Sequence, residues 1–182
     1  MSWQIHLNNS RIQFTAQKFK VITVQGHFSS FTGTLDLDEV KHVESNVAVR
    51  IAAESIETGN ARRNTHLKSP DFLDVDKYPF ITFQSKSVEL SDSNHGHVIG
   101  DLTIRDITRE VVLEVDHGGL GTDQHTASFE AHTTLKCQDW GITWAGLLGK
   151  LIIGETLAIS IELEAIKQAE VQELFSAKKE RS

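Results

Sequence analysis

The sequence predicts an all-β fold, an antiparallel sheet of about eight strands or more that closes into a barrel or doubles over as a sandwich. Three observations predict it. Apolar and polar residues alternate at period two through most of the chain, most clearly in 157–163, where Leu157, Ile159, Ile161 and Leu163 alternate with Ala158, Ser160 and Glu162. Short clusters of turn formers, Ser91-Asp92-Ser93-Asn94 and Gly118-Gly119-Leu120-Gly121, punctuate that alternation. Only two segments, 58–79 and 166–182, break the rhythm.

Taken in chain order, 3–7, 11–17 and 28–37 carry the pattern less cleanly than the later strands. In 47–53, Val47, Val49, Ile51 and Ala53 share one face. The segment 58–79 is too long for a hairpin loop; it predicts a corner with a short helix between Asn60 and Lys68. Tyr78-Pro79 then returns the chain extended, because the residue before proline disfavours helix. Strand 80–90 follows, and in 98–104 Val98, Gly100, Leu102 and Ile104 share a face. Val111, Leu113 and Val115 form the next inward set, then Ala127, Phe129, Ala131, Thr133 and Leu135. Residues 166–182 predict a terminal helix of weak amphipathicity. Closure into a barrel is favoured, since it removes the unpaired edges of so long a sheet.

Composition narrows the function classes. At 182 residues, with 39% hydrophobic and 24% charged residues, the chain predicts one globular domain spanning 1–182. Its net charge of −7 argues against nucleic acid or an anionic membrane as partner. A single cysteine, Cys137, excludes an internal disulfide. No apolar run approaches the roughly 20 residues that span a bilayer, so membrane insertion is not expected. The opening "MSWQIHLNNSRIQF" lacks the basic-then-apolar order of a secretory signal. The expected location is cytoplasmic, or periplasmic had a leader been removed.

Aromatic residues fall among the inward positions: Phe14, Phe28, Phe31, Phe72, Phe80 or Phe83, Trp140 and Trp144. They either fill a solid core or line an apolar cavity, as barrels of about eight strands do both. Small inward residues, Ala53, Gly100, Ala127 and Ala131, leave room for a cavity. Alternation by itself does not choose between the two.

Catalytic and metal signatures are weak. The chain has nine histidines, and His95-Gly96-His97 is an HxH pair, but beside "SDSN" it reads as a solvated turn. His125 and His132 would face opposite sides of one strand, and neither CxxC nor HExxH occurs. There is no GxSxG elbow, and Lys136 points away from Cys137. Asp71, Asp74 and Asp76 are loop carboxylates of the kind that cap and turn.

Four blocks in order, "VQGHFSSFTGTLDLD" (24–38), "SIETGNARRNTHLKSPDFLDVDKYPFITF" (55–83), "GDLTIRDITREVVLEV" (100–115) and "QDWGITW" (138–144), resemble the YceI-like, polyisoprenoid-binding family. The resemblance runs from about Trp3 to Glu164 and implies an extended, lipocalin-like antiparallel barrel. It implies a long interior channel for an isoprenoid lipid or quinone, no catalysis, no other cofactor or metal, and homodimers. On this reading Phe14, Phe28, Phe31, Ile51, Phe83, Leu102, Trp140, Ile142 and Trp144 line the channel. Leu67 and Phe72 close or line its end, and Arg63 and His66 approach a polar head group, unless they only tie the corner to the barrel. The family usually has Asp where Asn64 stands, and commonly Asn-Arg where Lys136-Cys137 stands. Two alternatives stay open: a lipid-modifying or metal-assisted enzyme built on His66 and a nearby carboxylate, and a packed, stress-related interaction protein.

Overall fold

The computed structural model describes residues 2–18, 22–38, 41, 44–142 and 156–168. Eleven strands and one α-helix follow in order: β1 Ser2–Ile5, β2 Arg11–Lys18, β3 Ile22–Phe28, β4 Phe31–Asp36, β5 Asn46–Ala52, β6 Ile56–Glu57, α1 Ala61–Lys68, β7 Phe80–Leu90, β8 His95–Ile104, β9 Ile107–Leu120, β10 Thr126–Lys136 and β11 Thr156–Lys167. All strands join one sheet, ordered β1-β4-β5-β7-β8-β9-β10-β11-β2-β3-β6, in which β1 also pairs with β11. That extra pairing closes β1, β4, β5, β7, β8, β9, β10 and β11 into an eight-stranded antiparallel barrel. A barrel, rather than a sandwich, is the outcome.

The seam shows how a short strand closes the ring. Trp3 of β1 stands opposite both Lys167 of β11 and Leu35 of β4. β2 continues along the same edge of β11, from Leu157↔Ala16 to Glu162↔Arg11. Between β1 and β2 the chain bulges through a 3-10 turn, Leu7–Asn9. The backbone of Glu164 is satisfied there by His6 and by the buried Ser10 hydroxyl, at 2.7 and 3.0 Å. β2 and β3 thus extend the barrel wall beyond the closed ring.

Several expectations move by a few residues. The pattern over 28–37 covers a junction: β3 ends at Phe28 and β4 begins at Phe31. Gly118-Gly119-Leu120 belongs to β9 and is not a turn; Gly119 adopts φ +95° where the β9–β10 register shifts between Ser128 and Phe129. That is a bulge, which needs a residue free to take a left-handed conformation. His95 and His97 lie on β8 and not in the turn before it. Phe83 faces inward at 8% exposure, whereas Phe80 is exposed and covered by the Arg50 guanidinium at 3.5 Å. At the C-terminus the predicted helix gives way to β11, which runs on to Lys167 because its alternation persists through Ala165. The remainder of that call, 169–182, lies outside the described residues, as does Trp144.

The corner at 58–79 is built from local hydrogen bonds. Gly59 turns the chain at φ +74°, and Asn60 caps α1 by accepting the Arg63 backbone N–H at 2.9 Å. His66 and Lys68 occupy the last turn, where cations suit the helix dipole. Beyond the helix, the N–H groups of Leu73 and Val75 bond back to the carbonyls of Leu67 and Lys68. Asn64 and Leu67, three apart, are the buried residues of α1, so the helix lays this one stripe on the barrel.

Candidate functional site

Inside the barrel lies an apolar cavity of about 560 Å³, within the roughly 300–1,000 Å³ typical of small-molecule sites. The burial pattern of the walls shows why it exists. The inward residues Leu113 and Val115 of β9, Phe129 and Thr133 of β10, and Leu157, Ile159, Ile161 and Leu163 of β11 are only half-buried. In a solid core such inward residues would be fully buried; here part of their surface faces open interior space.

Aromatic side chains help keep that space open by lying along the wall. A Cβ on Gly26 would clash with the edge of the Phe14 ring on the neighbouring strand. A Cβ on Gly100 would come within 2.5 Å of the Phe83 ring. In both cases the ring occupies volume a side chain would otherwise take, instead of crossing the lumen.

One end of the cavity is tightly packed among the described residues. Leu67, Phe72, Phe83, Leu135, Trp140 and Ile142 form one buried cluster across the corner and the segment after β10. Trp140 donates its Nε1–H to the Leu102 carbonyl at 3.1 Å, which fixes the indole in that cluster. Trp3, by contrast, is fully buried at the seam, and among the described residues its Nε1–H meets no acceptor.

The other end is a polar mouth. Leu37, Ser45, Leu90, Ser93, Asn94, His95 and Leu120 line it, and Leu90 and Leu120 are each 49% exposed. His95 places Nδ1 2.8 Å from Asp92 and Nε2 3.3 Å from Asp116. The hydrogen bond that the His95 ring donates to Asp92, the charge of Asp92 and that of Asp116 raise the His95 pKa above its usual range. Backbone N–H groups of Asn94 and His95, with the His95 ring, hold the Asp92 carboxyl below its usual range. Deeper in, the His117 ring stacks on Phe129 with centroids 4.9 Å apart.

Of the residues predicted to meet a ligand, Phe14, Phe28, Ile51, Leu67, Phe72, Phe83, Leu102, Trp140 and Ile142 line the cavity. Phe31 does not. It is buried in a cluster with Ile12, Ile51, Ala53 and Ile81, behind the three isoleucines that do line the cavity. Arg63 and His66 do not line the cavity either. Arg63 bonds the Thr58 hydroxyl and carbonyl at 2.9 and 2.8 Å. His66 lies edge-on to Phe72, with its Nε2 3.4 Å from the exposed Asp71. Arg63, one turn before Leu67, is held in the corner by those two bonds, and His66, the residue before Leu67, is turned about 100° around the helix from it.

Asn64 is not a missing carboxylate beside His66. Its Oδ1 accepts from the Thr58 backbone and hydroxyl at 3.0 and 2.6 Å, and its Nδ2 donates to Glu57 at 2.8 Å. Glu57 also accepts from the Gly59 N–H, and these bonds lower its pKa, the one from Asn64 most. A carboxamide serves here because the site needs an acceptor on one side and a donor on the other. The mouth residues His95, Asp92 and Asp116 were missed as a set. The separation of 21 residues between His95 and Asp116, across two strands, hid Asp116, and only the β8–β9 register His95↔Asp116 reveals it. Among the described residues no cluster of His, Cys, Asp or Glu can hold a metal ion, and no helix is long and apolar enough to cross a membrane. Cys137 is half-buried and lines the cavity.

Comparison with known proteins agrees with this geometry. A UPF0312 protein of Pseudomonas putida is 34% identical over 148 residues, 80% of this chain and 74% of the relative. The crystal structure of Burkholderia cenocepacia BcnA superposes with a TM-score of 0.79 at 21% identity, covering 88% of this chain and 98% of that one. A polyisoprenoid binding domain from Saccharophagus degradans shares the fold at a TM-score of 0.70 and 11% identity, over 90% of this chain and 97% of that one. The YceI-like domain profile matches residues 3–165, nearly the whole described barrel, and the chain belongs to that family.

Proposed function

We propose that this barrel binds a long-chain isoprenoid, or a similar amphiphilic lipid, in its interior and sequesters or carries it without chemical change. The observation that carries the reading is the apolar cavity itself, walled by inward residues that are half-buried for want of a filling. The polyisoprenoid binding named for the Saccharophagus degradans relative supports the same ligand class.

The energetics suit a carrier. Each buried CH₂ contributes roughly 0.8 kcal/mol, so a tail of about ten buried carbons gives about 8 kcal/mol before the cost of ordering it. Length and shape of the cavity then select the tail, and the polar mouth orients the head. His66 and Asp71 are not among the residues that line the cavity, which supports binding over chemistry at that pair.

Native mass spectrometry of the purified and the delipidated protein tests the proposal. A co-purifying or added isoprenoid should appear as a bound mass, and adding it should raise the melting temperature. Repeated preparations free of lipid, with no binding and no thermal shift on adding isoprenoids, would refute it.

A further inference from the structure

We infer that the mouth of the cavity docks transiently on the surface of a zwitterionic lipid bilayer, through Leu90 and Leu120, and exchanges its cargo there. The inference rests on the interior being a lipid site, as proposed above. It starts from an asymmetry between the two ends of the barrel. At the packed end Leu67, Phe72, Trp140 and Ile142 are all buried. At the mouth Leu90 ends β7 and Leu120 ends β9, and both are exposed.

Both leucines also line the cavity, so one apolar surface runs from the interior out over the rim. Leu37, beyond β4, continues it on a third side of the opening. Leu7 and Val112 are comparably exposed, but they do not line the cavity. Single apolar side chains of that kind are ordinary on any protein surface. The cargo needs an apolar contact at the opening. Each methylene that enters water slows escape about fourfold, so releasing a tail of about ten carbons through water is slower by about a millionfold than passing it directly into lipid.

Charge at the rim selects the kind of bilayer. Asp92 and Asp116 flank His95, and Asp123 lies in the turn after Leu120. Backbone N–H groups, that of Asn94 at Asp92 and that of His125 at Asp123, hold both carboxyls below their usual range. Both are therefore ionised at neutral pH. Lys41, beyond β4, is paired with Glu44 at 3.0 Å. The rim carboxylates meet the outer choline cations of phosphatidylcholine favourably, and an anionic lipid surface repels them.

Uptake from vesicles by the delipidated full chain tests this. Phosphatidylcholine vesicles loaded with a prenylated benzoquinone are mixed with the protein, and quenching of tryptophan fluorescence follows uptake, since Trp3 and Trp140 line the cavity. The rate should rise in proportion to vesicle concentration, because docking is a collision; escape through water would set a rate that ignores it. In the double variant Leu90→Asn, Leu120→Asn the slope of rate against vesicle concentration should fall at least about tenfold. Leu7→Asn should leave the slope in place. Phosphatidylglycerol vesicles should give a lower slope than phosphatidylcholine, and added salt should narrow that gap. A rate independent of vesicle concentration would overturn docking while leaving the lipid site intact, and transfer would then run through water or a partner protein. An equal loss in Leu7→Asn would overturn the assignment to the mouth, and an equally steep slope on phosphatidylglycerol the choice of a zwitterionic surface. No uptake, with no bound quinone by native mass spectrometry, would instead remove the lipid site itself.

Discussion

Truncating two leucines tests directly whether the barrel is hollow. Leu67 of α1 is 5% exposed and belongs to the closed cluster with Phe72 and Trp140. Leu113 of β9 points inward too, but it is half-buried and faces the cavity. Replacing leucine by alanine removes the equivalent of about three methylenes, about 2.4 kcal/mol at roughly 0.8 each when fully buried. Leu67 also borders the cavity but is packed on nearly all sides, so the neighbours it loses add to that and Leu67→Ala should cost about 3–4 kcal/mol, inside the roughly 2–5 range for such sites. At Leu113 no closed void forms, and part of the side chain already lacks neighbours, so Leu113→Ala should cost about 1 kcal/mol. Urea unfolding of the delipidated protein measures both. With m of roughly 2–3 kcal/mol per molar, the two midpoints should differ by about 1 M. Saturation with a bound isoprenoid should enlarge the Leu113 cost, because its methyls then touch ligand. Equal costs at the two positions in delipidated protein would mean a solid interior, and the cavity argument would fail.

Other expectations concern the corner, the two indoles and the mouth. Asn64→Asp removes the donor to Glu57 and sets a carboxylate against it; the variant should lose about 1–3 kcal/mol at pH 7 and recover part of that on acidification, read from urea midpoints at several pH values. Trp140→Phe should destabilise more than Trp3→Phe by about 1 kcal/mol, because Trp140 loses a hydrogen bond, to Leu102, while Trp3 loses a donor unpaired among the described residues; equal losses in thermal melts would contradict this. His95 should titrate above 6.5 by NMR, and Asp92→Asn should bring it back toward that value. Since its folded pKa is raised, the stability it adds is complete below 6.5 and is lost as pH climbs through the folded value. A His95 titration that Asp92→Asn leaves in place would show that the contact is not formed in solution.

Much of the fold was legible because side-chain alternation in a strand is a local property. Val111, Leu113 and Val115, and the set Leu157 to Leu163, announce their inward face without reference to any partner. The corner was legible for the same kind of reason: Asn60 caps the helix through a bond only three residues away. Boundaries were less legible where a partner strand decides them. Gly118 to Leu120 looks like a turn by composition, yet β10 pairs with it through a bulge and makes it strand. Likewise, Lys167 stays in a strand because Trp3 stands across from it.

The sequence by itself thus determined an all-β chain, its inward faces and its helical corner, since each follows from contacts a few residues apart. Only the tertiary structure decided that the sheet closes through β1, that Arg63 and His66 do not line the cavity, and that the interior is open. The physical reason is that closure, helix phase against the barrel, and unfilled volume depend on distances between residues far apart in the chain. A half-buried inward leucine and a buried one read alike in sequence; the space in front of them is what differs.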